Sequence, residues 1–334
     1  RYLYRLDGDS HHCPGLSGGE LGRSQGAGQM SESFEIDFSL GGERVDTAIA
    51  RLIGISRSAA AEVCESGGAR VGKKVLGKSD RLNQGDTLVI DPPMPQQPLK
   101  VVETPVEELS IIYQDEDVII VDKPAGVVAH PTVGFDGPTV AGALLAKGVA
   151  LSTSGAQERQ GIVQRLDVGT SGLMMLAKSE LAYSRLKQAF RDRAVHKVYH
   201  AIIQGHPDPS EGTFDAPIGR HPKAEFKFAV MEGGKPSVTH YKTLELFAAV
   251  SLCEVILETG RTHQIRVHFS AFRHPLLGDT MYGADPSLAK KLSMDRQWLH
   301  AKELGFSHPI TGEQMQFVSE YPKDLAEVLV KLRA

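Results

Sequence analysis

The chain has 334 residues, 41% hydrophobic and 23% charged, the balance of a soluble globular protein with an ordinary core and room for two or three domains. A formal net charge of −4 excludes a chain that is basic throughout, so a polyanion would have to be met by local clusters of bases. Cys13, Cys64 and Cys253 are too scattered for a disulfide framework or a CxxC metal pair, no apolar run nears the ~20 residues of a membrane span, and no basic-then-apolar leader opens the chain, so a cytoplasmic protein is expected.

Residues 1–29 are rich in Gly and Ser without a sustained period and are expected to be a disordered extension, with Met30 as the natural start. His11-His12-Cys13 lacks a fourth ligand, and no metal is assigned there. A small unit is expected over 43–92. In "RVDTAIARLIG", Val45, Ile49, Leu52 and Ile53 recur at helical spacing and Gly54 stops the run. Ser56 is a candidate N-cap for a second helix through Ala59–Cys64, ended by Gly67-Gly68. Short strand signals follow in "ARVGKKV" and in "DRLNQGDTLVI". Within 70–81, Arg70, Lys73, Lys74, Lys78 and Arg81 stand against Asp80 alone. Such a run is usually a solvated face. On a helix–helix–hairpin of this size it also suits an RNA-binding module.

The Pro-rich stretch "DPPMPQQPLKVVETP" marks a linker, placed at 93–105. Over 106–334, strands read in "DVIIVDKPAG", "KVYHAIIQG" and "SLCEVILETG". Helices read in "ELAYSRLKQAFRDR", with Leu186 and Phe190 inward, and in "HQIRVHFSAF", with Ile265, Phe269 and Phe272 on one face. Dispersed strands with few helices predict an α+β domain on one large mixed or antiparallel sheet. Between 178 and 197, Lys178, Arg185, Lys187, Arg191, Arg193 and Lys197 outnumber Glu180 and Asp192, a face on which a polyanion could lie.

In "QRLDVGTSGLMMLAK", 164–178, Asp167 stands among Leu166, Val168, Leu173, Met174 and Met175. A carboxylate there needs partners, and Thr170, Ser171 and the glycine amides can donate. Two roles fit: an Asp capping its own Gly-Thr-Ser-Gly bend, or an acid held for chemistry. In "ETGRTHQIRVH", Thr262 can N-cap the helix, and Arg266 beside Ile265 can turn its planar fork inward to a buried acid. His263 and His268 are five apart and do not share a helical face as zinc ligands would. Tyr199 on its strand is either a half-buried core tyrosine or a ring that stacks on a base and offers its hydroxyl.

Several of these stretches together resemble the RluA-type pseudouridine synthases. "QRLDVGTSGL" resembles the family's catalytic motif, "YQDEDVIIVDKPAGVVAHPT" its first motif, "HKVYHAIIQG" its tyrosine motif and "LETGRTHQIRVHFSAFRHPLLGDTMYG" its third, in the family's order. "PIGRHPK" and "GKPSVTHYKTLE" resemble the large-subunit ribosomal RNA pseudouridine synthase D branch, and 43–92 its alpha-L RNA-binding module. The resemblance implies Asp167 as the catalytic aspartate, Arg165 as the residue entering RNA to displace the target base, Tyr199 as the active-site tyrosine and Arg266 as the partner of the aspartate. Ile265, and Leu166 beside the aspartate, would line the pocket. Where the family usually has His, this chain has Gln164, which puts loop positioning or an RNA contact in question more than the chemistry.

The implied activity is isomerisation of uridine in large-subunit ribosomal RNA or its assembling particle, by a monomer needing neither metal nor organic cofactor. The rivals are a non-catalytic RNA-binding assembly factor and the same chemistry on transfer RNA. An acid amid arginines argues against a pure binder, since it would repel phosphate.

Overall fold

The structure, a computed structural model, describes residues 31–55, 57–91, 99–132, 134–224 and 226–334. The expectations for residues 1–30, for Ser56 as a cap and for linker residues 93–98 lie outside the described residues; 99–105 have no regular secondary structure.

Two compact units divide after residue 97. In the first, β1 (Glu32–Glu35) is followed by α1 (Val45–Leu52), α2 (Arg57–Glu65), β2 (Ala69–Val71), β3 (Lys74–Val75) and β4 (Thr87–Ile90). The strands pair in the order β1-β4-β2-β3. The helical spacing of Val45 and Ile49 turns both to a core with Ala48, Val63, Leu82, Leu88 and Ile90. Strand β1 was not expected: "ESFE" offers one apolar residue, and pairing with β4 makes it a strand. Asp46 is buried in the first turn of α1 and takes Arg44 through both oxygens, at 3.0 and 2.9 Å, and Arg57 Nε at 3.2 Å.

The second unit contains β5 (Ser110–Gln114), β6 (Val118–Lys123), α3 (Val140–Ala146), β7 (Ser171–Ala177), α4 (Glu180–Arg191), β8 (His196–Gln204), β9 (Glu211–Asp215), β10 (Ile218–Arg220), β11 (Phe228–Val230), β12 (Val238–Leu246), β13 (Val250–Leu257), α5 (Gln264–Ala271), α6 (Pro286–Leu292), β14 (Leu299–Ser307), β15 (Gln314–Val318) and α7 (Lys323–Arg333). Nine strands form one sheet, β5-β6-β7-β14-β8-β13-β12-β9, with β15 also on β14. Only β7 and β14 run parallel; the other pairs in this sheet are antiparallel. The domain is thus mixed α and β on a largely antiparallel sheet. Strands β10 and β11 make a separate two-stranded ribbon.

The period of two in β6 and β7 sorts their side chains between two cores. Ile119, Val121, Met174 and Leu176 join α3, Tyr199, Ile265 and Phe269 on one face. Val118, Ile120, Leu173, Met175 and Ala177 pack against Ala182 and Leu186 of α4 on the other. All seven residues of β7 are buried, so the chain just before it, which carries Asp167, is anchored at the centre of the sheet. Gly172, the second residue of β7, has φ 109°, and a Cβ there would stand 2.3 Å from the Ala301 carbonyl oxygen of β14. The glycine of "TSGL" therefore permits the parallel contact beside the site.

Helix α5 departs from expectation at both ends. Thr262 does not cap it; the N-cap is His263 in a left-handed conformation without a side-chain capping bond. Gln264 Oε1 instead accepts from the Arg261 amide at 2.9 Å. Phe272 lies past the last helical turn and is exposed, while Ile265 and Phe269 are buried as their spacing requires.

Candidate active site

Asp167 sits just before β7, and its turn closes through the Thr170 amide to the Asp167 main-chain carbonyl at 3.0 Å. None of the donors expected from its own turn reaches the carboxylate. Ser171 Oγ instead meets His300 Nδ1 at 3.0 Å, and Thr170 Oγ1 accepts from Gln297 Nε2 at 3.3 Å. Of the two roles open to this acid, the self-capping one is therefore not what the structure has.

Its partner comes from α5, 99 positions away: Arg266 Nη1 donates to Asp167 Oδ2 at 3.3 Å. The guanidinium is held more tightly by a residue missed in the sequence. Nε and Nη2 of Arg266 donate to the two oxygens of Asp279 at 2.6 and 2.9 Å, and both side chains are buried. Arg266 also stacks over the Tyr282 ring, Cζ at 4.9 Å from its centre. The ion pairs with Asp279 and Asp167 hold this arginine above its usual range against the opposing effect of burial. Its charge is thus shared between two acids, and its single contact with Asp167 leaves oxygen Oδ1 of that carboxylate without a hydrogen bond among the described residues.

A second base that the sequence did not single out is Lys123 at the end of β6. It is fully buried and donates to the Val127 and Pro124 carbonyls at 2.7 and 2.9 Å. Burial pulls its ammonium down to about 7, with Asp167 opposing. The Gly126 amide donates to the Val168 carbonyl at 2.8 Å, so this loop props the Asp167 turn from behind.

Asp167 opens into a pocket of about 70 Å³ lined by Arg165, Leu166, Tyr199, His263, Ile265 and Arg266 among others. The residues singled out as catalytic or pocket-lining therefore converge in space. Tyr199 is nearly buried; burial first and Asp167 second raise its phenol above the usual range, so it is a neutral ring and donor near pH 7. Exposed Arg165 bonds the Thr262 hydroxyl at the pocket rim. Next to the pocket, sharing Arg165, Tyr199 and Arg261, lies a groove of about 540 Å³ bordered by Lys187, Arg191, Arg193 and Lys197. Burial, then Arg193, lowers Lys197 to about 8. Gln164 lines the groove, and its Nε2 is buried without a partner among the described residues.

The other candidate bases divide. Arg193 pairs with Glu258 at 2.5 Å, Arg185 donates to the Pro309 carbonyl, and Arg191 donates to Gln188. In the first unit, Arg70 pairs with Asp91 at 2.8 Å and Lys78 with Glu65 at 2.6 Å, whereas Lys73 and Lys74 are exposed. Among the described residues no group of three or more His, Cys, Asp or Glu side chains is placed to hold a metal ion.

Residues 117–271 match the family model described as RNA pseudouridylate synthase. An uncharacterised RNA pseudouridine synthase of Mycobacterium bovis is 55% identical over 301 residues, covering 90% of this chain and 98% of that protein. The ribosomal large subunit pseudouridine synthase D of Pseudomonas aeruginosa is 40% identical, covering 91% of this chain and 96% of that one. Among solved structures, human RNA pseudouridylate synthase domain containing 1 superposes with a TM-score of 0.53 at 28% identity, covering 69% of this chain and 97% of that chain.

Proposed function

The chain belongs to the RNA pseudouridine synthase family and isomerises uridine in RNA; we propose that Asp167 is its reacting group and that its substrate is the RNA of the large ribosomal subunit. One observation carries the assignment of Asp167: among the described residues this pocket carboxylate has one oxygen without a protein donor while its other oxygen is held by a buried arginine.

The reaction breaks N1–C1′, turns the uracil and joins C5 to C1′. N1 gains a proton, C5 loses one, and no water or electron is consumed. The target nucleoside leaves its stack to enter the pocket, at a cost of a few kcal/mol that contacts with the protein offset. Arg165 at the rim fills the vacated space, and the basic groove takes the flanking phosphates. Free Oδ1 of Asp167 attacks C1′ or takes the 2′ proton. Tyr199 supplies a flat neutral face for the uracil; its raised phenol is unsuited to accept the C5 proton itself.

The large-subunit substrate rests on likeness to proteins named for that activity. The test is pseudouridine mapping of total RNA with and without the gene, complemented by wild type or Asp167→Asn. Loss of defined large-subunit sites, restored by wild type alone, is expected. Loss confined to transfer RNA would reassign the substrate, and restoration by Asp167→Asn would remove Asp167 from the chemistry.

A further inference from the structure

His263 lies in the pocket wall. It takes φ 56° and ψ 21°, a left-handed conformation costly for a residue with a Cβ, and spends its side chain on the pocket rather than on capping α5. Its Nδ1 lies 2.8 Å from the Tyr282 hydroxyl. Its Nε2 lies 4.0 Å from Asp167 Oδ2, the oxygen already bonded by Arg266. The Phe228 and Tyr282 rings both lie near-perpendicular to its imidazole, with ring centres at 5.8 and 5.6 Å.

The hydrogen positions follow from counting donors. The Phe228 amide donates to the Tyr282 oxygen at 3.0 Å. If His263 also donated to that oxygen, the phenol hydrogen of a nearly buried tyrosine would have no described partner, and the bare Nε2 lone pair would face a carboxylate. If Tyr282 donates to Nδ1, both problems vanish: the phenol hydrogen is paired, and the nitrogen 4.0 Å from the Asp167 carboxylate carries a hydrogen rather than a bare lone pair. Burial also lowers the imidazole's proton affinity, Arg266 and Arg165 act in the same direction, and Asp167 and Asp279 oppose it.

We propose that His263 is a positioning residue for the reaction, fixed by Tyr282 as the Nε2–H tautomer, which together with Arg266 confines one oxygen of Asp167 and presents the other to the ribose. The inference rests on Asp167 being the reacting group. The β10–β11 ribbon thereby acquires a role in the site, since its Phe228 amide sets the proton on a histidine of the pocket.

Two measurements test it on the full chain. In the first, ¹⁵N NMR of histidine-labelled protein, with His263 identified by its loss in His263→Gln, reads the tautomer near pH 7. The Nε2–H form is expected in wild type and in Asp167→Asn, with the preference lost in Tyr282→Phe. An Nδ1–H form, an imidazolium, or an unchanged tautomer in Tyr282→Phe overturns the assignment. In the second, single-turnover tritium release from RNA labelled at uridine C5 is compared with RNA affinity. His263→Ala is expected to slow turnover by about 10- to 100-fold, with affinity kept within about 2-fold. His263→Gln, which can place an N–H where Nε2 stood, is expected to recover most of the rate. Equal rates for Ala and Gln, or a loss that follows affinity, overturns the positioning role. Full turnover by Asp167→Asn would instead refute the reading of Asp167 and leave the tautomer result standing.

Discussion

Asp46 and Asp167 are two carboxylates held by arginines, one in each unit of the chain, and they are built for different ends. Asp46 has both oxygens occupied: Oδ1 accepts from Arg44 and Thr47, and Oδ2 from Arg44 and Arg57. Those bonds hold its carboxyl far below the usual range, Arg44 contributing most. Asp167 accepts a single side-chain bond at 3.3 Å, from an arginine whose closer contacts go to Asp279. A fully satisfied carboxylate joins elements together; one left with an open oxygen beside a cavity is available to a substrate. The difference lies in the count of donors per oxygen rather than in the presence of arginine.

The comparison is broken most directly by Asp167→Asn. Tritium release should fall by on the order of 10⁴-fold while RNA binding stays within a few-fold, as expected for a group acting in the transition state. Wild-type release by this variant would put Asp167 in the same class as Asp46. Asp279→Asn tests the shared arginine. It leaves a buried guanidinium short of its stronger partner, so the second unit should lose about 3 kcal/mol or more in urea unfolding, and turnover should drop as well. A variant with wild-type unfolding would show that Asp279 does not anchor Arg266.

Asp46→Asn should cost about 2 kcal/mol, read on unfolding of the first unit, with turnover at saturating RNA unchanged. The two units should also respond to different pH ranges. The Asp46 contribution is complete above the ordinary carboxylate range and is lost only as pH falls below it toward the depressed folded value. In the second unit, burial holds His300 neutral down to about 3 and His200 to about 4. Between pH 6.5 and those values the unfolded chain binds protons that the native state excludes. Stability therefore falls on acidification, by about 2 kcal/mol from pH 7 to 5 for His300 alone. A flat denaturation midpoint over that span in the second unit contradicts this, and a neutral His300→Gln should flatten part of the slope. The smallest effect is expected from Lys73→Ala with Lys74→Ala. These exposed bases should contribute only salt-dependent affinity, a few-fold at moderate salt, with a shallower salt slope and no change in single-turnover rate.

Much of this was legible along the chain, and the missing parts share a cause. Val45 and Ile49 of α1 and Ile265 and Phe269 of α5 were readable because periodicity reports burial locally. Strand β1 was not, because one apolar residue in four gives no period and only β4 makes it a strand. Thr262 looked like a cap because it stood at the right offset, yet its hydroxyl meets Arg165 across the fold. Arg70 and Lys78 looked like free bases until Asp91 and Glu65 came beside them.

By itself the sequence determined that Asp167 would stand among apolar residues beside a Gly-Thr-Ser-Gly bend and that Arg266 could turn inward beside Ile265, since both follow from the local order of residues along the chain. Only the tertiary structure decided that Arg266 is shared with Asp279, that His263 turns toward the acid, and that one carboxylate oxygen is left open. The physical reason is that a hydrogen bond depends on distance and direction in space, and partners 13 to 99 residues apart leave no periodic trace in the chain that joins them.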